Sequence, residues 1–326
     1  MALTNYPGGV SSFGIPVMGG GGIPAVLGNV WFVDYDKGSD DNDGRTKDSA
    51  LKTIAYCVAN KVTTNNHDVV LLSANSTHVL SSMLDISVNR THFIGLDARA
   101  GFGMGARTRI SLTATTGATN IATMKNTGVG NTFTGIKFMN ASTVAEGIYC
   151  VAEGGEYSVY DRCEFYKSTD LDVTGAAEVL NNGDSAQWLN CTFGSSADIV
   201  ADNVIRPCML VTATLSGKKC RDNIISDCVF LRKAGGTEAR FIYGANATDV
   251  ERLFLVKNTV FFNNPLSAAT PAIAVDFGAA QTEGAVILDA GCSIVDVTVM
   301  GATGEGIYTL APSSPTYATS GLSVAS

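Results

Sequence analysis

Residues 133–138 (FTGIKF), 157–165 (YSVYDRCEF), 188–193 (WLNCTF), 224–230 (IISDCVF) and 255–261 (LVKNTVF) repeat one skeleton: an apolar residue, a small or polar turn-former, then alternation into a phenylalanine. A weaker copy, ILDAGCSI, spans 287–294. The copies end at 138, 165, 193, 230, 261 and 294, so successive intervals are 27, 28, 37, 31 and 33 residues. Such intervals suit a solenoid coil of three short strands whose loops absorb the excess. They are too long for the ~8–12-residue rhythm of sandwich hairpins. Coils stacked ~4.8 Å apart place like residues over like. Phe138, Phe165, Phe193, Phe230 and Phe261 are therefore expected in one interior aromatic column. Cys163, Cys191 and Cys228 each precede their Phe by two, and side chains two apart on a strand share a face, so a parallel inward ladder of thiols is expected. Asp161, Asn190 and Asp227 are assigned to the preceding turn. Trp188, on a repeat strand, reads as packing rather than as a sugar platform.

Outward from this core, the chain divides into four zones. Residues 1–28 form a Gly/Pro-rich arm with Gly19 to Gly22 as a hinge, too poor in apolar residues to fold alone yet too apolar at Phe13, Ile15, Val17 and Met18 for a solvated linker. Residues 29–67 hold a strand near Val30 and Phe32, an Asp-rich loop and a short helix. Ser49 is the expected N-cap, and Leu51, Ile54, Ala55 and Val58 share an apolar face on a helix running to about Val58. Residues 68–310 carry short β-branched runs broken by Gly, Asn, Asp and Ser. Residues 311–326 are a Pro/Ser-rich tail. The expected fold is all-β: a right-handed, single-stranded parallel β-helix with an N-terminal capping helix and an extended arm.

Composition excludes several roles. Charged residues are 16% of 326, below the ~25% of an average domain, and the formal charge is −8 with no Lys/Arg-rich run. A nucleic-acid backbone needs a concentrated positive stripe, so none is expected as a direct partner. Gly and Pro interrupt every apolar run at the N-terminus, which reads as neither signal peptide nor membrane span. The eight cysteines form no C-x-x-C pair and sit mostly in strand-like segments, as reduced core residues of a chain made in a reducing cytoplasm would. The Asn-x-Ser/Thr sites at Asn75, Asn89, Asn140, Asn190 and Asn246 read as turns.

Candidate chemistry is sparse. Glycan cleavage needs two carboxylates ~5–9 Å apart, or a base with a cation. Asp170 with Asp172, beside Glu146 or Glu153 of the previous coil, Asp198 with Asp202, and Glu178 with Asp184 are the pairs available, and solvated loop acids are their simplest reading. The loop bearing Asp34, Asp36, Asp40, Asp41 and Asp43 needs a cation or backbone N–H groups to offset repulsion. Its spacing fails the EF-hand pattern, with Ser39 five before Gly44, so a turn is expected and no metal. No G-x-x-x-x-G-K-[ST], G-x-S-x-G or H-E-x-x-H occurs, and no cofactor is expected.

FVDYDKGSDDNDGRTKDSALKTIAYCV, 32–58, resembles the opening of pectate-lyase-like β-helix proteins through Val33, Gly38, Asp40, Asn42, Asp43, Gly44, Leu51, Thr53 and Ile54, departing at Ala50 where that family often has Pro. THFIGLDA, 91–98, is similar to the family's early coils. The resemblance implies a helix that plugs the N-terminal end of the solenoid. The arm from Asn5 to Val17 (NYPGGVSSFGIPV) resembles the start of tailed-bacteriophage structural proteins, which use trimeric β-helices as tailspikes or as capsid cement. This second resemblance implies a homotrimeric decoration protein on the virion surface, without enzymatic activity. Its partner would be the major capsid protein, with Phe13, Ile15, Pro16, Val17 and Met18 as the anchor. A tailspike that binds or degrades host glycan is the alternative.

Overall fold

A computed structural model describes residues 11–12, 15–16, 28–74, 77–96, 108–113, 121–141, 148–167, 175–196, 205–212, 219–267, 269–301 and 306–309. Three parallel sheets of ten, eight and eight strands wind around one axis, and each strand pairs with its counterpart one coil away. The chain visits face III (for example Ala122–Asn126), face I (Thr132–Thr134) and face II (Lys137–Asn140) in turn, then begins the next coil at Tyr149–Glu153. This is the right-handed parallel β-helix expected from the repeat.

Two left-handed positions bracket the central run of face I in successive coils. Arg90, Gly130, Tyr157, Ser185, Asp222 and Arg252, each two residues before a face I strand or its central run, have φ between 52° and 70°. Gly135, Arg162, Asn190, Asp227 and Asn258 close the strand with φ between 46° and 65°. Non-glycine residues avoid this region, so its recurrence at one rung shows that the corner demands it. Corner N–H groups bond upward to the next coil, as from Arg162 to the Leu189 carbonyl (2.9 Å) and from Asn190 to that of Ser226 (3.0 Å). The turn position is thus Arg162 rather than Asp161, which ends the strand in register with Leu189.

The phenylalanine column forms as expected. Phe138, Phe165, Phe193, Phe230, Phe261 and Ile294 are in-register partners on face II. The five rings are fully buried, with successive centroids 5.7, 4.9, 4.4 and 5.2 Å apart. A second column on face I, Phe93, Phe133, Tyr160 and Trp188, stacks at 5.2, 4.8 and 4.2 Å. The two columns meet edge to face, as in Phe133–Phe138 at 75° and Trp188–Phe165 at 72°. Such pairs add ~0.5–1.5 kcal/mol each beyond area burial. Between the columns, Cys163, Cys191 and Cys228 donate to the carbonyls of Phe133, Tyr160 and Trp188 one coil below, at 3.3, 3.4 and 3.3 Å. All eight cysteines are free and buried.

At the N-terminal end, Val30–Val33 turns Trp31 and Val33 inward, and the Asp-rich loop folds over Leu51, which bridges Val33. Gly44 has φ 72°, and a Cβ there would lie 2.8 Å from the Leu51 Cγ, so glycine is required. Helix α1, Ile54–Asn60, is capped by Thr53, whose Oγ1 accepts the Tyr56 N–H at 3.2 Å. Ser49 does not cap it, because its hydroxyl donates to Asp43 at 2.6 Å. The later start rotates the buried face to Ile54 and Cys57, leaving Ala55 exposed and Leu51 in the extended bridge. No helix among the described residues is long and apolar enough to cross a membrane.

Candidate functional site

Of the expected anchor, Phe13, Val17 and Met18 lie outside the described residues. Ile15–Pro16 pairs antiparallel with Ser11–Ser12 through the backbone. Asp170, Asp172, Asp198, Asp202, Glu146 and Asn75, and the tail from 311, also lie outside.

The described acids are occupied in ways sequence spacing does not reveal. Glu153 points into the tube, fully buried, instead of standing beside a surface pair. Its Oε2 accepts from Asn126 (2.8 Å) and the Tyr160 hydroxyl (2.5 Å), and its Oε1 from Gly155 N–H (2.6 Å) and Ser158 (3.2 Å). Burial raises its pKa despite those four donors. Asn126, Glu153 and Asn181 stack in register, a polar ladder at the corner between faces III and I.

Glu178 and Asp184 do not form a pair. Glu178 holds Arg232 two-pronged at 2.8 and 2.7 Å, the two side chains only 4% and 1% exposed. Burial opposes the Arg232 cation, while Cys208 and Glu178 facing it raise its pKa on balance. Lys167 and Arg206 are buried beside this ion pair, and burial lowers the Lys167 pKa to about 8. Asp184 instead binds Arg221 at the corner between faces III and I. Asn140 is a buried strand residue, its amide on the Tyr149 carbonyl at 2.6 Å, rather than a turn.

In the Asp-rich loop, backbone and hydroxyl donors meet the carboxylates. Asp40 accepts Lys52 N–H (3.0 Å), Thr53 N–H (2.9 Å) and the Thr53 hydroxyl (2.9 Å). Asp34 accepts the Asp36 and Lys37 N–H groups, each at 3.1 Å. Asp43 takes Arg45 N–H and Ser49, which lower its pKa. Among the described residues no cluster of three or more His, Cys, Asp or Glu has a metal-holding arrangement. A cleft of about 470 Å³ lies next to this loop, lined by Phe32, Leu71, Leu96, Asp34, Asp36 and Lys37 among others.

The outer faces change character along the axis. The outward row of face I reads His92, Thr132, Val159 and Gln187, then Ile224, Leu255, Ile287 and Tyr308. That of face II reads Arg109, Lys137, Glu164 and Thr192, then Val229, Val260 and Ser293; the neighbouring row reads Ser111, Met139 and Tyr166, then Leu231, Phe262 and Val295. Tyr308 is 64% exposed and Leu266, in the loop after face II, 86%. Below residue 194 the first-named row of each face mixes charged and polar side chains with Val159; from 224 both are aliphatic and aromatic except at Ser293.

No protein-family model matches the chain, and comparison with curated proteins returns no match. Solved structures match at the level of fold. The pectate lyase Pel9A aligns with a TM-score of 0.58 and 11% identity over 86% of this chain and 74% of that one. A pectin methylesterase variant in complex with a hexasaccharide aligns at 0.52, with 11% identity over 86% and 80%. Both likenesses establish a shared fold and no shared activity. The Geobacillus virus E2 ORF18 protein aligns at 0.39, with 12% identity over 86% of this chain and 60% of that one, a likeness that carries no argument.

Proposed function

We propose that this protein is a structural component of a tailed-phage virion, a homotrimeric β-helix that decorates the head and bridges neighbouring copies of the major capsid protein. The observation that carries the reading is the apolar outer surface of the upper coils. Ile224, Leu255 and Ile287 are half-buried and Tyr308 is exposed, and an isolated solenoid gains nothing by leaving this row open to water, whereas an assembling one covers it. The engagement of Glu153, Glu178 and Asp184 in internal bonds is consistent with a role in binding rather than catalysis. In this reading the arm, with Phe13, Ile15, Pro16, Val17 and Met18, supplies the head contact.

Deleting residues 2–28 is expected to abolish binding to purified heads while leaving the trimer folded, as scored by co-sedimentation and circular dichroism. Decoration by the truncated chain would remove the anchor assignment. The alternative, a tailspike acting on host glycan, is tested by sugar release from host polysaccharide. Sustained release lost on Asp170→Asn or Asp172→Asn would displace the cement reading.

A further inference from the structure

We propose that His67 and His92 form a two-imidazole site for a divalent transition-metal ion, Zn²⁺ being the one whose geometry fits, at the corner where the first coils enter face I. The inference does not rest on the virion reading. His67 Nδ1 and His92 Nε2 lie 3.3 Å apart. The ring centroids are 5.5 Å apart, with 19° between the planes. The difference leaves about 1.1 Å at each end, the radius of an imidazole. The two nitrogens therefore meet head-on along the line of centres, and the rings lie edge to edge rather than face to face.

A tetrahedral ion with Zn–N bonds of ~2.0–2.1 Å spans two of its nitrogens by ~3.3–3.4 Å. The pair already has that separation. A tilt of roughly 35° at each ring turns both lone pairs away from each other and onto the ion.

The fold prepares both ligands. Val69 and His92 are in-register partners on face I, and His67 stands two residues before Val69 with φ 56°, which brings its ring up beside the coil above. Asp68 pins the backbone around it, because its buried carboxylate accepts the Thr63 N–H at 2.8 Å and the Asn66 amide at 2.7 Å. On the far side of the His92 ring, Nδ1 lies 2.8 Å from the Thr132 hydroxyl of the next coil. With Nδ1–H donated to that oxygen, Nε2 carries a lone pair, and the outer nitrogen is held as metal-bound histidines hold theirs. His67 needs only to carry its proton on Nε2 instead of Nδ1, a change of tautomer without a change of charge.

Both rings are half-buried, so water can complete the coordination. The other soft ligands do not compete at the surface: the third histidine, His78, and all eight cysteines are buried. With two protein ligands the site binds less tightly than a closed four-ligand one. A bound ion would staple the segment between helix α1 and face I to the coil above, at the end that the helix plugs.

Isothermal titration of the full chain with Zn²⁺ at neutral pH tests this, with one ion per chain expected. His67→Asn, which suits the left-handed corner, and His92→Gln should each lose the ion with unchanged circular dichroism. Thr132→Val keeps both ligands and should weaken binding by ~10–100-fold. A reading that needs no variant is protection of the unmodified chain: Zn²⁺ should shield His67 and His92 from diethyl pyrocarbonate. No isotherm, or no shielding of the two histidines, overturns the site. An isotherm that survives both histidine substitutions marks an adventitious ion only, and overturns it equally.

Discussion

The lower coils, up to about residue 194, and the upper coils, from about 220, share one backbone plan and differ in where their aromatic and apolar side chains go. In the lower coils face I is filled by Phe93, Phe133, Tyr160 and Trp188, while the outward row of that face carries His92, Thr132, Val159 and Gln187. Above Trp188 the inward column continues as Ile225, Val256 and Leu288, and the outward row becomes Ile224, Leu255 and Ile287. The face II phenylalanines run through both halves. The lower half fills face I with its largest rings, and the upper half fills it with smaller aliphatic side chains while also carrying an aliphatic outward row. A repeat fold permits this because each coil answers mainly to the two beside it.

If that contrast is right, truncating the last rung of the lower stack is the most damaging single change. Trp188→Ala should cost ~3–5 kcal/mol in urea unfolding, against ~1 kcal/mol for Ile225→Val one coil above. Equal losses would erase the distinction between the two interiors. Next comes the ion pair that joins the halves. Arg232→Met leaves Glu178 buried without its partner and should cost ~3–4 kcal/mol, while the double replacement Glu178→Met/Arg232→Met recovers most of it.

Acid should strike the lower end first. Burial pushes His78 down to about 4 from 6.5, the Ser73 backbone pulling weakly the other way. The fold therefore prefers neutral imidazole, and this contribution is complete above pH 6.5 and lost as pH falls toward 4. A shift of that size is worth ~2–3 kcal/mol at pH 4.5. His78→Leu should flatten the acid limb of the stability profile, and hydrogen exchange should locate the loosening in the first coils; exchange spread evenly along the axis would contradict a local cause. The smallest effect is expected at the solvated lower exterior, where Gln187→Lys should change stability by no more than ~0.5 kcal/mol.

Much of this architecture is legible in one dimension. The intervals between Phe138, Phe165, Phe193, Phe230 and Phe261 set the coil, and the structure pairs those residues rung by rung. The second aromatic column is also within reach of the sequence. Phe133, Tyr160, Trp188, Ile225 and Val256 each stand five residues before a column phenylalanine, a signal masked by the variety of side chains that carry it. Turn chemistry points to Asp161 and misses the true corner at Arg162 by one residue, because aspartate is the more familiar turn-former. Capping chemistry starts the helix several residues early, because Ser49 and Thr53 are equally good caps locally and only the Asp43 hydrogen bond removes Ser49 from the choice.

The sequence by itself determined the interior: a coil period and a side-chain alternation of two leave a hydrophobic ladder no other place to go. Tertiary structure alone decided which polar groups join it. Glu178 and Arg232 are 54 residues apart and meet through stacked coils of unequal length, and Glu153 turns inward to Tyr160 rather than outward to solvent. Loop lengths between coils follow no period, so the charge that ends up beside another is fixed only when the backbone has wound.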